Sequence, residues 1–489
     1  MRGSLTIWLL IGVAVAVLVA GGTIGGLILW GHHTPRTTEV ASVPVSSPPS
    51  ALTASSLEPE PAAAHVPGPS TGKRSIAEDR LPSTAPTLEP SSQEPLTSEV
   101  VAEAVEPSQP TPEASAQESG ALPNRDYVIL QIGDSHTAAD LFTGEVRDKL
   151  QEKFGAGGLF LPPGIPKAGV QSAEINIKAD DAWEYKAMAS TDEPNHFYLS
   201  GYTATASASG AKVTFTAKSQ QTFDAIDVSF LKANGGGQAD ILLDGNVVDH
   251  VSLDGRPGDP LIRRLMPQGG MVGAFKTLEV VTTSGGPVEF SGVFVDQRQS
   301  GVSYLSVGFP GARATVLQRM APNNLKDDMS RIDPDMVVLA FGTNEGFDDN
   351  LDVDDYKKRL TDIIATLKAG NPDMRFVFIG PPPGARKNDS CAELPNACGT
   401  PPAAGACWAQ PPKLSAVRDA ERDVAAATGA LFWDWSSVLP TACALEQGHL
   451  GDPAIFGPDR VHMTGKGYRD SADAFANVLI PLVGRLIGS

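Results

Sequence analysis

Tyr127-Val128-Ile129-Leu130-Gln131-Ile132-Gly133-Asp134-Ser135-His136-Thr137 is the stretch on which the fold turns. Its first six residues are apolar except for Gln131, which predicts a strand buried on both faces, the habit of parallel sheets. Gly133 stops the run. Leu141, Phe142, Val146, Leu150 and Phe154 then recur at helical spacing among charged residues, predicting a helix over residues 141–154. The same texture returns downstream. Residues 336–341 (MVVLAF) form a second such run, stopped by Gly342, and residues 375–379 (RFVFI) a third, stopped by Gly380-Pro381-Pro382-Pro383. A short strand is expected at 430–433. Amphipathic helices are expected at 356–368 and 414–428, and a closing helix at 467–487. Strands alternating with helices predict an α/β fold with a mostly parallel sheet.

Residues 169–301 read differently. Short runs such as Lys212-Val213-Thr214-Phe215-Thr216 and Val288-Glu289-Phe290-Ser291-Gly292-Val293-Phe294-Val295 alternate with a period of two. Asn234-Gly235-Gly236-Gly237 and Ser284-Gly285-Gly286-Pro287 punctuate them. Such spacing predicts an all-β sandwich inserted into the α/β domain after its first strand–helix unit. Trp183, Tyr185, Phe197 and Tyr198 lie early in it. Aromatic rings there can stack on sugar faces, although core packing is the commoner use of such residues.

The amino-terminal part is of another kind. Residues 5–30, from Leu5 to Trp30, form a 26-residue apolar stretch with only Thr6 and Thr23 polar. About 20 residues suffice to span a bilayer as a helix. A cleaved signal peptide would have an apolar core of about 7–15 residues ending at a small-x-small site. Leu18-Val19-Ala20 lacks the first small residue, so residues 1–33 are expected to be an uncleaved signal anchor. Residues 34–124 hold sixteen of the 40 prolines, twelve acidic and four basic side chains and no aromatic ring. Such a segment buries too little apolar surface to offset its ordering entropy and is expected to be a disordered Pro/Ser/Glu-rich linker. The net charge of −19 over 489 residues argues against a general nucleic-acid binder. The four cysteines, Cys391, Cys398, Cys407 and Cys443, include no C-x-x-C pair, which argues against a structural zinc site. Outside the cytosol their even number predicts two disulfides of open connectivity; reduced, buried thiols are the alternative.

Four short motifs carry the chemistry. Gly133-Asp134-Ser135-His136-Thr137 sits where a buried strand hands over to a helix, a place where functional groups gather in open parallel sheets. An Asp-Ser turn also serves as an ordinary helix cap. Gly308-Phe309-Pro310-Gly311-Ala312-Arg313 allows close backbone approach and an exposed amide donor. Gly342-Thr343-Asn344-Glu345 places a side-chain amide at a strand end, where it can donate to a developing oxyanion. Asp459-Arg460-Val461-His462 sets a carboxylate three residues before an imidazole, which can fix the tautomer of the ring. Each alone is also compatible with a plain loop.

The order of the four resembles the SGNH (GDSL-like) hydrolase superfamily, over residues 125–166 and 302–489. The resemblance implies a three-layer α/β/α domain made of residues 125–168 and 302–489. It implies a nucleophile at Ser135 and a triad completed by Asp459 and His462. The implied oxyanion donors are the amides of Ser135 and Gly311 and the side chain of Asn344. His136 and Glu345 stand where many members carry Leu and Asp. His136 is too close to Ser135 along the chain to be the expected base, and a packing role is expected for it. The run GDSHTAADLFTGEVRDKLQEKFGAGGLF, the β insertion and GFPGARA resemble, more narrowly, the peptidoglycan O-acetylesterases of Gram-negative bacteria, whose insertion is similar to a carbohydrate-binding module. The function implied is removal of O-acetyl groups from a cell-envelope glycan, with peptidoglycan as the first choice and no metal or organic cofactor. The protein would sit in the inner membrane by a single pass, with its body in the periplasm. A glycan O-acetyltransferase using the same triad and a non-catalytic glycan-binding protein are the alternatives.

Overall fold

The computed structural model describes residues 38–43, 126–157, 159–161, 169–191, 197–270, 272–297, 301–388, 407–438, 445, 448–449 and 451–488. The expected anchor at 5–30 lies outside them, as do Cys391, Cys398 and Cys443 and nearly all of the expected linker. Among the described residues no helix is long and apolar enough to cross a membrane.

A five-stranded parallel sheet forms the centre of the α/β body. Its strands are β1 (Tyr127–Gly133), β2 (Val302–Gly308), β3 (Met336–Ala340), β4 (Arg375–Gly380) and β5 (Leu431–Asp434). The spatial order is β2-β1-β3-β4-β5, all neighbours parallel. Side-chain alternation along each strand feeds two cores. Ile129, Val338 and Ile379 face helices α1 (Leu141–Phe154) and α5 (Gly465–Ile487), meeting Phe142, Leu150, Phe475 and Leu479. Leu130, Ile132, Val337 and Leu339 face the other layer, α2 (Pro322–Ile332), α3 (Val353–Lys368) and α4 (Leu414–Thr428). Both faces of the sheet are thereby covered, which is why its central strands read as unbroken apolar runs.

Between α1 and β2 the chain builds two further sheets. One joins Asn246–Ser252, Gln238–Leu243, Gly273–Ser284, Lys212–Phe223 and Ile175–Ala179. The other runs Pro260–Pro267, Ala225–Leu231, Val288–Asp296, Tyr202–Ala206 and Glu184–Ala187. Val213, Phe215, Leu278, Phe230, Phe290 and Val293, drawn from both sheets, share one buried core. Two strands join the second sheet from outside 169–301. Leu159–Leu161 pairs with Val288–Asp296, so the sheet begins before the expected boundary at residue 169. Thr38–Val43 pairs in parallel with Pro260–Pro267, inside the stretch expected to be disordered throughout. The physical reason is that an edge strand offers unpaired backbone donors and acceptors, which a passing segment can satisfy without a core of its own.

Candidate active site

In a sheet of order 2-1-3-4-5 the connections diverge between β1 and β3, and the crevice beyond their carboxyl ends is the natural site. The sequence motifs converge there. Gly133, the last residue of β1, permits a tight exit: a Cβ on it would lie 2.2 Å from Thr137 Oγ1 and 2.5 Å from the Ala340 carbonyl oxygen. Ser135 follows at the first turn of the short helix Ser135–Ala138, whose cap is Asp134. The Asp134 carboxylate accepts from the His136 amide at 3.0 Å. Burial pushes the Asp134 carboxyl up to about 6.

Asp459 and His462 arrive from the loop before α5. His462 Nε2 lies 2.8 Å from Ser135 Oγ, and His462 Nδ1 lies 2.7 Å from Asp459 Oδ2. Asp459 Oδ1 accepts from the amides of Val461 and His462, both at 3.0 Å, which shapes the loop. Partial burial opposes ionisation of Asp459. The hydrogen bonds from the His462 ring and these amides outweigh it and hold the carboxyl below its ordinary value. The two side chains are 44% and 52% exposed, open to substrate and water.

His136 is buried behind this line. Its Nδ1 lies 2.9 Å from the Tyr468 hydroxyl, and its ring centroid lies 5.2 Å from that of His462 and 5.4 Å from that of Trp435. Burial first, and the neighbouring His462 charge second, lower its pKa to about 3, so it is neutral at physiological pH. It packs under the site.

The turns after β2 and β3 are laced together. Asn344 Nδ2 donates to the Ala312 carbonyl at 2.8 Å, and an amide NH₂ has a second hydrogen to give. Glu345 is buried. Its Oε1 accepts from the Ala314 amide at 2.7 Å and its Oε2 from the Gly342 amide at 3.1 Å. The carboxylate thus spans both turns, a role that residue-by-residue reading missed, since only its place beside Asn344 could have drawn notice. Burial raises Glu345 from its ordinary 4.5 to about 7, against two N–H donors that favour the charged form.

That shift has a measurable sign. Between pH 4.5 and about 7, folded Glu345 retains a proton that the unfolded chain has released. Its contribution to stability is therefore present at low pH and lost as pH rises through that window. Relative to Glu345→Gln, the wild type should lose up to about 1.4 kcal/mol per pH unit there. Urea unfolding of both proteins at pH 5, 6 and 7 reads the difference, and parallel pH curves would contradict it.

Three of the aromatic residues considered for sugar stacking are buried instead. Trp183 belongs to the sandwich core, Phe197 to the core of the α/β body, and Tyr198 is 2% exposed. Tyr185 is half-buried against both cores. Among the described residues no group of three His, Cys, Asp or Glu side chains is placed to hold a metal ion.

Residues 284–469 match the model of the GDSL-like Lipase/Acylhydrolase family. That span takes in Gly311, Asn344, Asp459 and His462, while Ser135 precedes it. Among solved structures, the chain is 25% identical to a peptidoglycan O-acetylesterase, with a TM-score of 0.59 over 75% of this chain and 94% of that one. The body is an SGNH-type hydrolase resembling peptidoglycan O-acetylesterases. The SGNH hydrolase also aligns with a family two carbohydrate esterase from Cellvibrio japonicus, at 13% identity and a TM-score of 0.25, covering 64% of this chain and 98% of that one. A Clostridium thermocellum enzyme of the same family, in complex with cellohexaose, aligns at 13% identity and a TM-score of 0.28, covering 63% and 99%. No curated protein matches the chain.

Proposed function

We propose that this SGNH hydrolase is a serine esterase that removes O-acetyl groups from a cell-envelope glycan, with peptidoglycan as its substrate. The observation that carries the reading is the unbroken hydrogen-bond line from Asp459 through His462 to Ser135, at the carboxyl ends of a parallel sheet. Likeness to a peptidoglycan O-acetylesterase supports the choice of substrate.

The geometry supports the following chemistry. His462 Nε2 takes the proton of Ser135 Oγ as that oxygen attacks the acetyl carbonyl. Asp459 keeps the ring in the tautomer whose Nε2 is free to accept. The oxyanion of the tetrahedral intermediate is held by the amides of Ser135 and Gly311 and by the free amide hydrogen of Asn344. His462 then returns the proton to the leaving sugar oxygen as the C–O bond breaks, leaving acetyl-Ser135. Water, deprotonated by the same ring, attacks the acetyl-enzyme, and His462 returns the proton to Ser135 Oγ as the acyl C–O bond breaks and acetate leaves.

Incubating the full chain with O-acetylated peptidoglycan, with de-O-acetylated peptidoglycan as control, tests the proposal. Acetate release matched by loss of glycan acetyl groups is the expected result. Acetate from small esters alone, with the polymer untouched, would end the peptidoglycan assignment. The apolar stretch at residues 5–30 supports a single-pass inner-membrane anchor with the body in the periplasm. A body protected from external protease in spheroplasts would overturn that topology.

A further inference from the structure

We propose that the turn at residues 199–202 of the β insertion positions the oxyanion loop, so that the insertion sets how well the transition state of ester cleavage is held. The proposal rests on the oxyanion roles assigned above to Gly311 and Asn344.

Phe309 is the root of that loop. It is fully buried, directly after β2. Its amide donates to the Gly133 carbonyl at 2.9 Å, two residues before Ser135. Its carbonyl accepts from the Ala312 amide at 3.0 Å, closing the turn that holds Gly311. The position of Phe309 therefore sets where the Gly311 amide points relative to Ser135.

The insertion grips this root. Gly201 has φ +68° and packs against the Phe309 ring so closely that a Cβ on it would lie 2.0 Å from the ring carbon Cε1. Only glycine meets both conditions. The Tyr202 ring stacks on Phe309 at 6.4 Å and 28°, and its hydroxyl donates to the Gly308 carbonyl at 3.2 Å. The turn is itself fixed on both sides. Ser200 Oγ donates to the Ser291 carbonyl at 2.8 Å, tying it to the sandwich strand Val288–Asp296. The Leu199 amide donates to Asp328 Oδ2 of α2 at 2.6 Å. Asn344 and Glu345 hold the same loop at Ala312 and Ala314. The oxyanion loop is thus clamped between the turn after β3 and the insertion.

The test is a double-mutant cycle in the full chain, with p-nitrophenyl acetate as the probe. Asn344→Ala should lower kcat by about 10²–10³, the cost of one oxyanion donor. Tyr202→Phe keeps the ring and removes one hydrogen bond; kcat should fall about 3–10-fold with KM within about twofold. Gly201→Ala, which must displace Phe309, should cost about 10²-fold in kcat. In the Tyr202→Phe/Asn344→Ala double variant the Tyr202 effect should shrink below about twofold, because loss of the Asn344–Ala312 bond has already released the loop that Tyr202 helps to align. A merely structural role for Tyr202 would lower stability and leave the kcat of the folded variant untouched. Tyr202→Phe with wild-type kcat, or with a loss that multiplies in full with that of Asn344→Ala, overturns the proposal. Should Gly201→Ala fail to fold, the Tyr202→Phe cycle decides. Wild-type kcat in folded Asn344→Ala would remove the oxyanion reading itself, a failure distinguishable from that of the clamp.

Discussion

Ser135→Ala should abolish ester hydrolysis and leave the fold unchanged. The substitution removes one oxygen whose partner, His462 Nε2, lies 2.8 Å away on a ring that is 44% exposed. Water can replace that hydrogen bond, so no buried polar group is stranded and the stability cost is small. The cost in rate should be large, because the proposed acetyl-enzyme route disappears. Loss of a triad serine lowers kcat by about 10⁶, leaving about 10³–10⁴ of acceleration over water from the oxyanion donors and binding. His136 offers no substitute as base, being buried, held at Nδ1 by Tyr468 and lowered to about 3. The measurement is acetate release, with circular dichroism to show that the variant is folded. A folded Ser135→Ala protein that works at the wild-type rate would refute the nucleophile and the hydrolytic scheme with it.

Asp459→Asn should lower kcat by up to about 10⁴ with little change in KM. The asparagine oxygen can still accept from the amides of Val461 and His462, so the loop keeps its shape. Its NH₂, however, faces His462 Nδ1, which Asp459 Oδ2 meets at 2.7 Å. A donor there demands an unprotonated Nδ1 and moves the proton to Nε2. The ring then has no lone pair for the Ser135 proton. In the proposed scheme the contact also stabilises the imidazolium formed during attack, and a neutral amide forfeits that. Since Asp459 is 52% exposed, the effect should appear in kcat and hardly in thermal stability. A loss below about tenfold would mean that another acceptor orients the ring.

Much of the α/β body was legible because its signals are local. Residues 414–428 were expected as a helix and form α4 with the same limits, since the apolar spacing of Leu414, Val417, Val424 and Ala425 needs no distant partner to be read. β1, β3 and β4 announced themselves as apolar runs ending at glycine or, for β3, just before it. β2 did not. Ser303 and Ser306 interrupt its apolar run, and residues 302–308 become a strand by pairing with β1, from Val302 beside Tyr127 to Gly308 beside Gly133. Helix α2 was missed as well, because its buried face includes Asn324 and Asp328, which dilute the apolar spacing. Asp328 is buried to receive the Leu199 amide from the insertion, a need that no local pattern records.

The site divides along the same line. The amino-acid sequence by itself determined which residue types stand in the turns after the strands, Ser135, Gly311 and Asn344, and before the last helix the Asp459–His462 pair, whose three-residue spacing already lets a carboxylate reach the ring beside it. It also determined the parallel α/β class, through apolar runs long enough to be buried on both faces. Only the tertiary structure brought His462 to Ser135 across 327 positions of chain. It alone assigned Trp183 and Phe197 to cores and gave Thr38–Val43 a partner strand. It alone made Glu345 a bridge between two turns and Gly201 a seat for Phe309. The physical reason is common to all of these. Periodicity and turn chemistry act over a few residues and are written in the chain, whereas burial, hydrogen-bond partners and pKa depend on which distant segment arrives, and that is settled when the sheets and helices pack.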